Sequence, residues 1–77
     1  MGIKTIFAQI LELPEDEITL ESSPANVGDW TSLKQIMLIS ILESEYNIRF
    51  SMKEMKELKC VGAFVETIRE KGVKSAF

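Results

Sequence analysis

The stretch from Ser32 to Tyr46 constrains the fold more than any other part of the chain. Leu33, Ile36, Met37, Leu38, Ile39, Ile41, Leu42 and Tyr46 are apolar, and no Gly or Pro interrupts them. Their spacing at three and four residues predicts an α-helix. At 100° per residue they do not fall into one stripe. Leu38, Leu42, Tyr46 and Ile39 share one arc, with Ile36 beside it. Leu33, Met37 and Ile41 form a second row at i, i+4, i+8, flanked by Lys34, Ser40 and Ser44. A helix that is apolar on two faces either buries both or offers one to a partner. The second row is therefore a candidate docking surface, with simple burial as the alternative.

The rest of the chain reads as further helices around one long connection. Ile3, Ile6, Phe7, Ile10 and Leu11 predict a helix from about Ile3 to Leu13, stopped by Pro14, which has no N–H and disfavours helix in the residue before it. Pro14 to Thr31 is an 18-residue connection rich in loop formers, including Pro24, Asn26 and Gly28. Ile18, Leu20, Val27 and Trp30 are spaced so as to pin it to the helices. Ser51 followed by Glu54 predicts a capping box opening a short helix to about Leu58, with Met52, Met55 and Leu58 as its apolar side. Val61, Phe64, Val65 and Ile68 predict a last helix to about Lys71, with Gly72 suited to the C′ position. No β-alternation appears, so the expected fold is all-α: three main helices, one short helix and a long first loop, in a single domain over residues 1–77.

Composition excludes most chemistry. The chain has 77 residues, no His and one Cys. A core of this size gives only a few kcal/mol of net stability, leaving little to hold a strained catalytic cleft. Without His there is no Ser-His or Cys-His nucleophile pair and no imidazole zinc ligand. A single Cys makes no internal disulfide, which fits a reducing compartment. Cys60 has no base to activate it and is expected to be buried as a small apolar residue. No segment has the length of a transmembrane helix, and the N-terminus matches neither a secretory signal nor a myristoylation pattern. The expected location is the cytoplasm. A net charge of −3 with no long basic run argues against nucleic acid as a partner. Glu12, Glu15, Asp16, Glu17 and Glu21 lack the spacing of a calcium loop and read as a solvated face.

One residue remains as a place for chemistry. Ser32 stands where the long loop meets the strong helix. The first-turn N–H groups there have no intrahelical partner, and the macrodipole adds partial positive charge, so a phosphate on Ser32 would sit where a helix naturally holds an anion. The plain structural reading is that Ser32 and Gln35 form a capping box and Ser32 is only a cap. Trp30 beside it either packs over the loop or touches a partner.

At this point the chain resembles the acyl carrier protein family. The family opens its second helix with Asp-Ser-Leu after a long first loop; here the segment is Asp29-Trp30-Thr31-Ser32-Leu33. Leu13-Pro14-Glu15-Asp16-Glu17-Ile18-Thr19 is similar to the start of the family's first loop. Leu42-Glu43-Ser44-Glu45-Tyr46-Asn47-Ile48 is similar to its acidic-aromatic close of the second helix. Ser51 to Val61 fits its short third helix and the start of the fourth. The resemblance runs over about residues 3 to 71.

The resemblance implies an acyl-carrier-like four-helix bundle that is not an enzyme. It implies 4′-phosphopantetheine carried covalently on Ser32, placed there from coenzyme A by a separate Mg²⁺-dependent phosphopantetheinyl transferase. Cargo would ride as a thioester on the arm's thiol and be exchanged with acyl-activating and acyl-transferring enzymes of fatty acid, polyketide or nonribosomal peptide biosynthesis. Ile36, Leu38, Ile39, Leu42, Ile48, Met55 and Leu58 would line a space for that cargo. The chain would act as a discrete monomer, without nucleic acid or membrane partners. Partner docking is assigned to Leu33, Met37, Ile41, Lys34, Asp29 and Trp30. Two departures stand out. Thr31 replaces the usual Asp before the serine, with Asp29 nearby to compensate. The docking helix lacks the family's strong acidity, so apolar contact and a dedicated set of partners are expected instead. The competing reading is an interaction module of the same fold with no prosthetic group. A small hydrolase using Ser32 is disfavoured by the lack of any base or triad partner.

Overall fold

The computed structural model describes residues 2–74 and Phe77. Four α-helices run in the order α1 (Ile3–Leu11), α2 (Ser32–Tyr46), α3 (Met52–Glu57) and α4 (Val61–Glu70), with one 3-10 turn over Glu15–Glu17 after α1. No strand occurs among the described residues. The all-α expectation holds, and α2 begins and ends where its apolar spacing predicts. None of these helices is long and apolar enough to cross a membrane.

Each helix end has a local cause. α1 stops two residues earlier than expected, because Glu12 takes a left-handed conformation (φ 58°) and its N–H and that of Leu13 both donate to the Ala8 carbonyl. Pro14 then bars any continuation. α2 ends at Asn47, also left-handed (φ 54°), a conformation asparagine tolerates better than most residues. α3 opens with the full capping box: Ser51 Oγ accepts from the Glu54 N–H and Glu54 accepts from the Ser51 N–H. α4 ends at Glu70, with Gly72 at φ 90° beyond it. Lys71 does not serve the helix dipole alone. Its ammonium reaches Glu54 Oε1 at 2.8 Å and lies 5.7 Å from the centre of the Phe50 ring.

The helices enclose one core. Ile3, Ile6, Phe7, Leu11, Ile18, Leu38, Leu42, Val61, Phe64 and Ile68 are all essentially inaccessible. Phe64 is its hub. Its ring centre lies 5.1 Å from Phe7, 6.2 Å from Trp30 and 6.2 Å from Phe50, the first and last edge-on.

The long loop is tied down by backbone as much as by side chains. Cys60, the N-cap of α4, makes no side-chain cap bond. The first-turn donors of α4 instead go to the loop: the Val61 N–H to the Ser22 carbonyl and the Gly62 N–H to the Leu20 carbonyl, both at 2.9 Å. A Cβ on residue 62 would lie 3.1 Å from that Leu20 oxygen, so glycine permits the close approach. Ser22 is itself buried, its hydroxyl accepting from the Thr19 N–H. Ile18 and Trp30 anchor the loop as expected and Val27 is half-buried, but Leu20 is exposed and holds on through its carbonyl. Cys60 is half-buried rather than enclosed in the core.

Candidate functional site

The loop delivers its last residues onto the N-terminus of α2. The Trp30 N–H donates to the Val27 carbonyl and the Thr31 N–H to the Asp29 carbonyl, turning the chain into the helix. Thr31, extended at φ −91° and ψ 172°, is the N-cap, and its Oγ1 accepts from the Lys34 N–H at 3.3 Å. The Ser32–Gln35 capping box is therefore not formed. The cap lies one residue earlier, and Ser32 occupies the first helical position. Ser32 is exposed, and its hydroxyl makes no hydrogen bond with any described residue.

Gln35, released from capping, has another task. Its Oε1 accepts from the Trp30 indole N–H at 2.6 Å, and its Nε2 donates to the Leu58 carbonyl at 3.0 Å. One amide thus joins the loop, α2 and the end of α3 directly behind Ser32. Trp30 is 4% exposed and its ring centre lies 5.6 Å from that of Phe7. The expectation that Trp30 contacts a partner is corrected: the indole belongs to the core and offers a partner almost no surface.

The remaining residues assigned to docking divide. Leu33 is 68% exposed and Met37 40% exposed, so the first two members of the second row face solvent. Ile41, the third, is half-buried and packs against the core. Asp29 is exposed. Lys34 is not a free charge, since its Nζ lies 3.2 Å from Glu12 Oε2 at the end of α1. Apolar spacing also placed Ile36 near the core arc, but Ile36 is 64% exposed.

A groove of about 600 Å³ opens beside Ser32. Pro24 and Ala25 of the loop, Trp30, Gln35, Ile36 and Leu58 line it, with Lys59 as its one charged residue. Of the residues expected to enclose cargo, Ile36 and Leu58 line this groove. Leu38 and Leu42 are instead fully enclosed in the core, on the helix that packs against α1. A second, more polar hollow of about 430 Å³ lies in the loop, lined in part by Glu17, Thr19, Asn26 and Asp29. No cluster of metal-ligating side chains occurs among the described residues.

This arrangement suits a covalent arm. An alkylphosphate on Ser32 would project from an exposed hydroxyl that takes no part in the cap. It would lie beside a helix N-terminus, where the Ser32 and Leu33 N–H groups have no backbone acceptor. The groove alongside is predominantly apolar.

Residues 2–68 match the family model described as a phosphopantetheine attachment site. The chain is 32% identical over 69 residues to the acyl carrier protein of Petrotoga mobilis, an alignment covering 90% of this chain and 81% of that protein. The chain belongs to the acyl carrier protein family, whose members carry 4′-phosphopantetheine covalently on a serine.

Proposed function

We propose that Ser32 is the serine that bears the arm, and that residues 1–77 form one carrier domain presenting a thioester-bound acyl group to separate enzymes. The observation that carries this reading is the division of labour at the start of α2. Thr31 caps the helix, so the Ser32 hydroxyl stays exposed and uncommitted at the first helical position. The prosthetic group supplies the thiol that this chain lacks in reactive form. The protein's own residues hold the helix terminus rigid through Trp30 and Gln35, place partial positive charge beside the phosphate, and offer an apolar groove next to it.

The chain is then a substrate and a scaffold rather than a catalyst, working as a monomer in the cytoplasm. Its partners are a phosphopantetheinyl transferase with coenzyme A and the enzymes that load and unload the thiol. Leu33 and Met37, with Asp29 at the helix entrance, form the docking surface. Ile41 backs it from the core, and Lys34 fixes its edge by pairing with Glu12.

Intact-mass measurement tests the assignment. Incubated with coenzyme A, Mg²⁺ and a broad-range transferase, the protein gains one phosphopantetheinyl group, and Ser32→Ala gains none. Modification that persists in Ser32→Ala, or no modification by any transferase including that of the source organism, overturns it.

A further inference from the structure

Ser32 opens α2 and shares its groove with Leu58 and Lys59, just beyond α3, and the inference below rests on the proposed role of that serine. The segment that carries α3 is tied to α2 by residues on either side of that short helix. The Phe50 N–H donates to Glu43 at the far end of α2, and Gln35 donates to the Leu58 carbonyl at the near end. Six large apolar side chains are exposed among the described residues, and five of them belong to this pair: Leu33, Ile36, Met37, Met52 and Met55. Met52 and Met55 are 75% and 37% exposed, so the apolar side of α3 is open to solvent, and only Leu58 beyond its end is buried. Exposed apolar groups gathered in one place mark an interaction surface, and methionine adapts its shape to what covers it.

The charge on this face runs against the rest of the chain. The protein carries a net −3. From Ser32 to Leu42 the only charged residue is Lys34, already paired with Glu12. α3 presents Lys53 and Lys56, and Lys59 follows just beyond its end, all three exposed and in no ion pair among the described residues. Glu54 is held by Lys71, leaving Glu57 as the opposing acid on that segment. Lys59 also lines the groove with Ser32 and Ile36, so the positive edge reaches the modification site.

We propose that the α2–α3 face docks a protein surface with an apolar patch rimmed by carboxylates, and that the transferase acting on Ser32 presents such a surface. Opposite charge speeds encounter, and like charge at this edge rejects enzymes with basic docking faces. An anionic lipid surface would also meet lysine and methionine, but the net negative charge of the whole chain opposes it.

The test uses the transferase encoded in the same genome and follows modification of Ser32 across ionic strength. The triple variant K53E/K56E/K59E should raise KM about tenfold with kcat unchanged. K53R/K56R/K59R should behave as the unsubstituted protein, whose kcat/KM should fall with added salt while that of the glutamate variant does not. Met52→Gln combined with Met55→Gln should raise KM at every salt concentration. Circular dichroism confirms that the variants remain helical. Modification with an unchanged or lower KM in K53E/K56E/K59E overturns the inference and leaves the role of Ser32 intact. No modification of the unsubstituted protein overturns both. Lysine-dependent co-sedimentation with phosphatidylcholine–phosphatidylserine vesicles, without any effect on the transferase, assigns the face to lipid instead.

Discussion

The indole N–H of Trp30 donates to the side-chain oxygen of Gln35 across 2.6 Å, and this bond ties the end of the long loop to α2. Five residues separate the two in sequence, and Ser32 lies between them. The indole is 4% exposed, so its N–H loses its protein partner with little access to water if the amide is removed. The Leu58 carbonyl loses its donor in the same step.

Gln35→Leu is therefore expected to destabilise the fold by about 1–3 kcal/mol, the usual cost of leaving a buried polar group unpaired. For a domain of this size that lowers the melting temperature by roughly 4–8 °C per kcal/mol. Thermal unfolding followed by circular dichroism measures it. A melting temperature unchanged in Gln35→Leu would show that the bond does not hold the loop.

The capping assignment separates two adjacent hydroxyls. Thr31→Ala removes the acceptor for the Lys34 N–H and should cost about 1 kcal/mol, whereas Thr31→Ser and Thr31→Asp should retain the cap. Ser32→Ala should leave stability within about 0.5 kcal/mol, since its exposed hydroxyl makes no hydrogen bond. Chemical denaturation of the variants distinguishes this from a cap at Ser32, which would reverse the order.

The misplacement of that cap shows what sequence patterns resolve here. Helix existence was legible throughout: α2 and the Ser51–Glu54 box appear where their residues predict. The cap was misread by one position because Ser32–Gln35 fits the capping-box pattern, while Thr31 is followed three residues on by Lys34, which gives no such signal. Only the backbone conformation at Thr31 decides between them. Burial around α2 was legible for Leu38 and Leu42 but not for Ile36, because a helix with apolar residues on most sides has no periodicity from which to choose its inner face. The tie between the Leu20 and Ser22 carbonyls and α4 uses backbone groups alone and leaves no side-chain signature. Ser32 was singled out by its place in the resemblance. Its exposed, uncommitted hydroxyl became visible only with the cap resolved.

Phe64 joins three other aromatic rings and is fully buried, so Phe64→Ala removes the hub of the core. The expected loss of about 3–5 kcal/mol is comparable to the entire stability of a domain this small. The variant should lack a cooperative thermal transition, and it should bring Trp30 into water, shifting its fluorescence to the red. Phe64→Leu keeps most of the volume and should remain folded. A cooperative transition in Phe64→Ala near that of the unsubstituted protein would contradict this packing.

Glu54 links the cap of α3 to α4, and its titration should be visible in stability. The Lys71 ammonium, first, and the Ser51 N–H, second, hold its carboxyl below the ordinary value of 4.5, against a smaller opposing effect of desolvation. A carboxyl whose folded pKa is depressed stabilises the fold above its unfolded pKa, and that contribution disappears as pH falls through the folded value. Glu54→Gln should therefore melt at a lower temperature than the unsubstituted protein at neutral pH. The gap should narrow below about pH 4.5 and close at more acid pH, where the unsubstituted protein also holds a neutral group at this position. Lys71→Met should show the same neutral-pH deficit and the same convergence on acidification, since it removes the first cause of the shift. Melting curves from neutral to strongly acid pH measure both. A gap that is constant across that range would mean that the charge on Glu54 contributes nothing to joining α3 and α4.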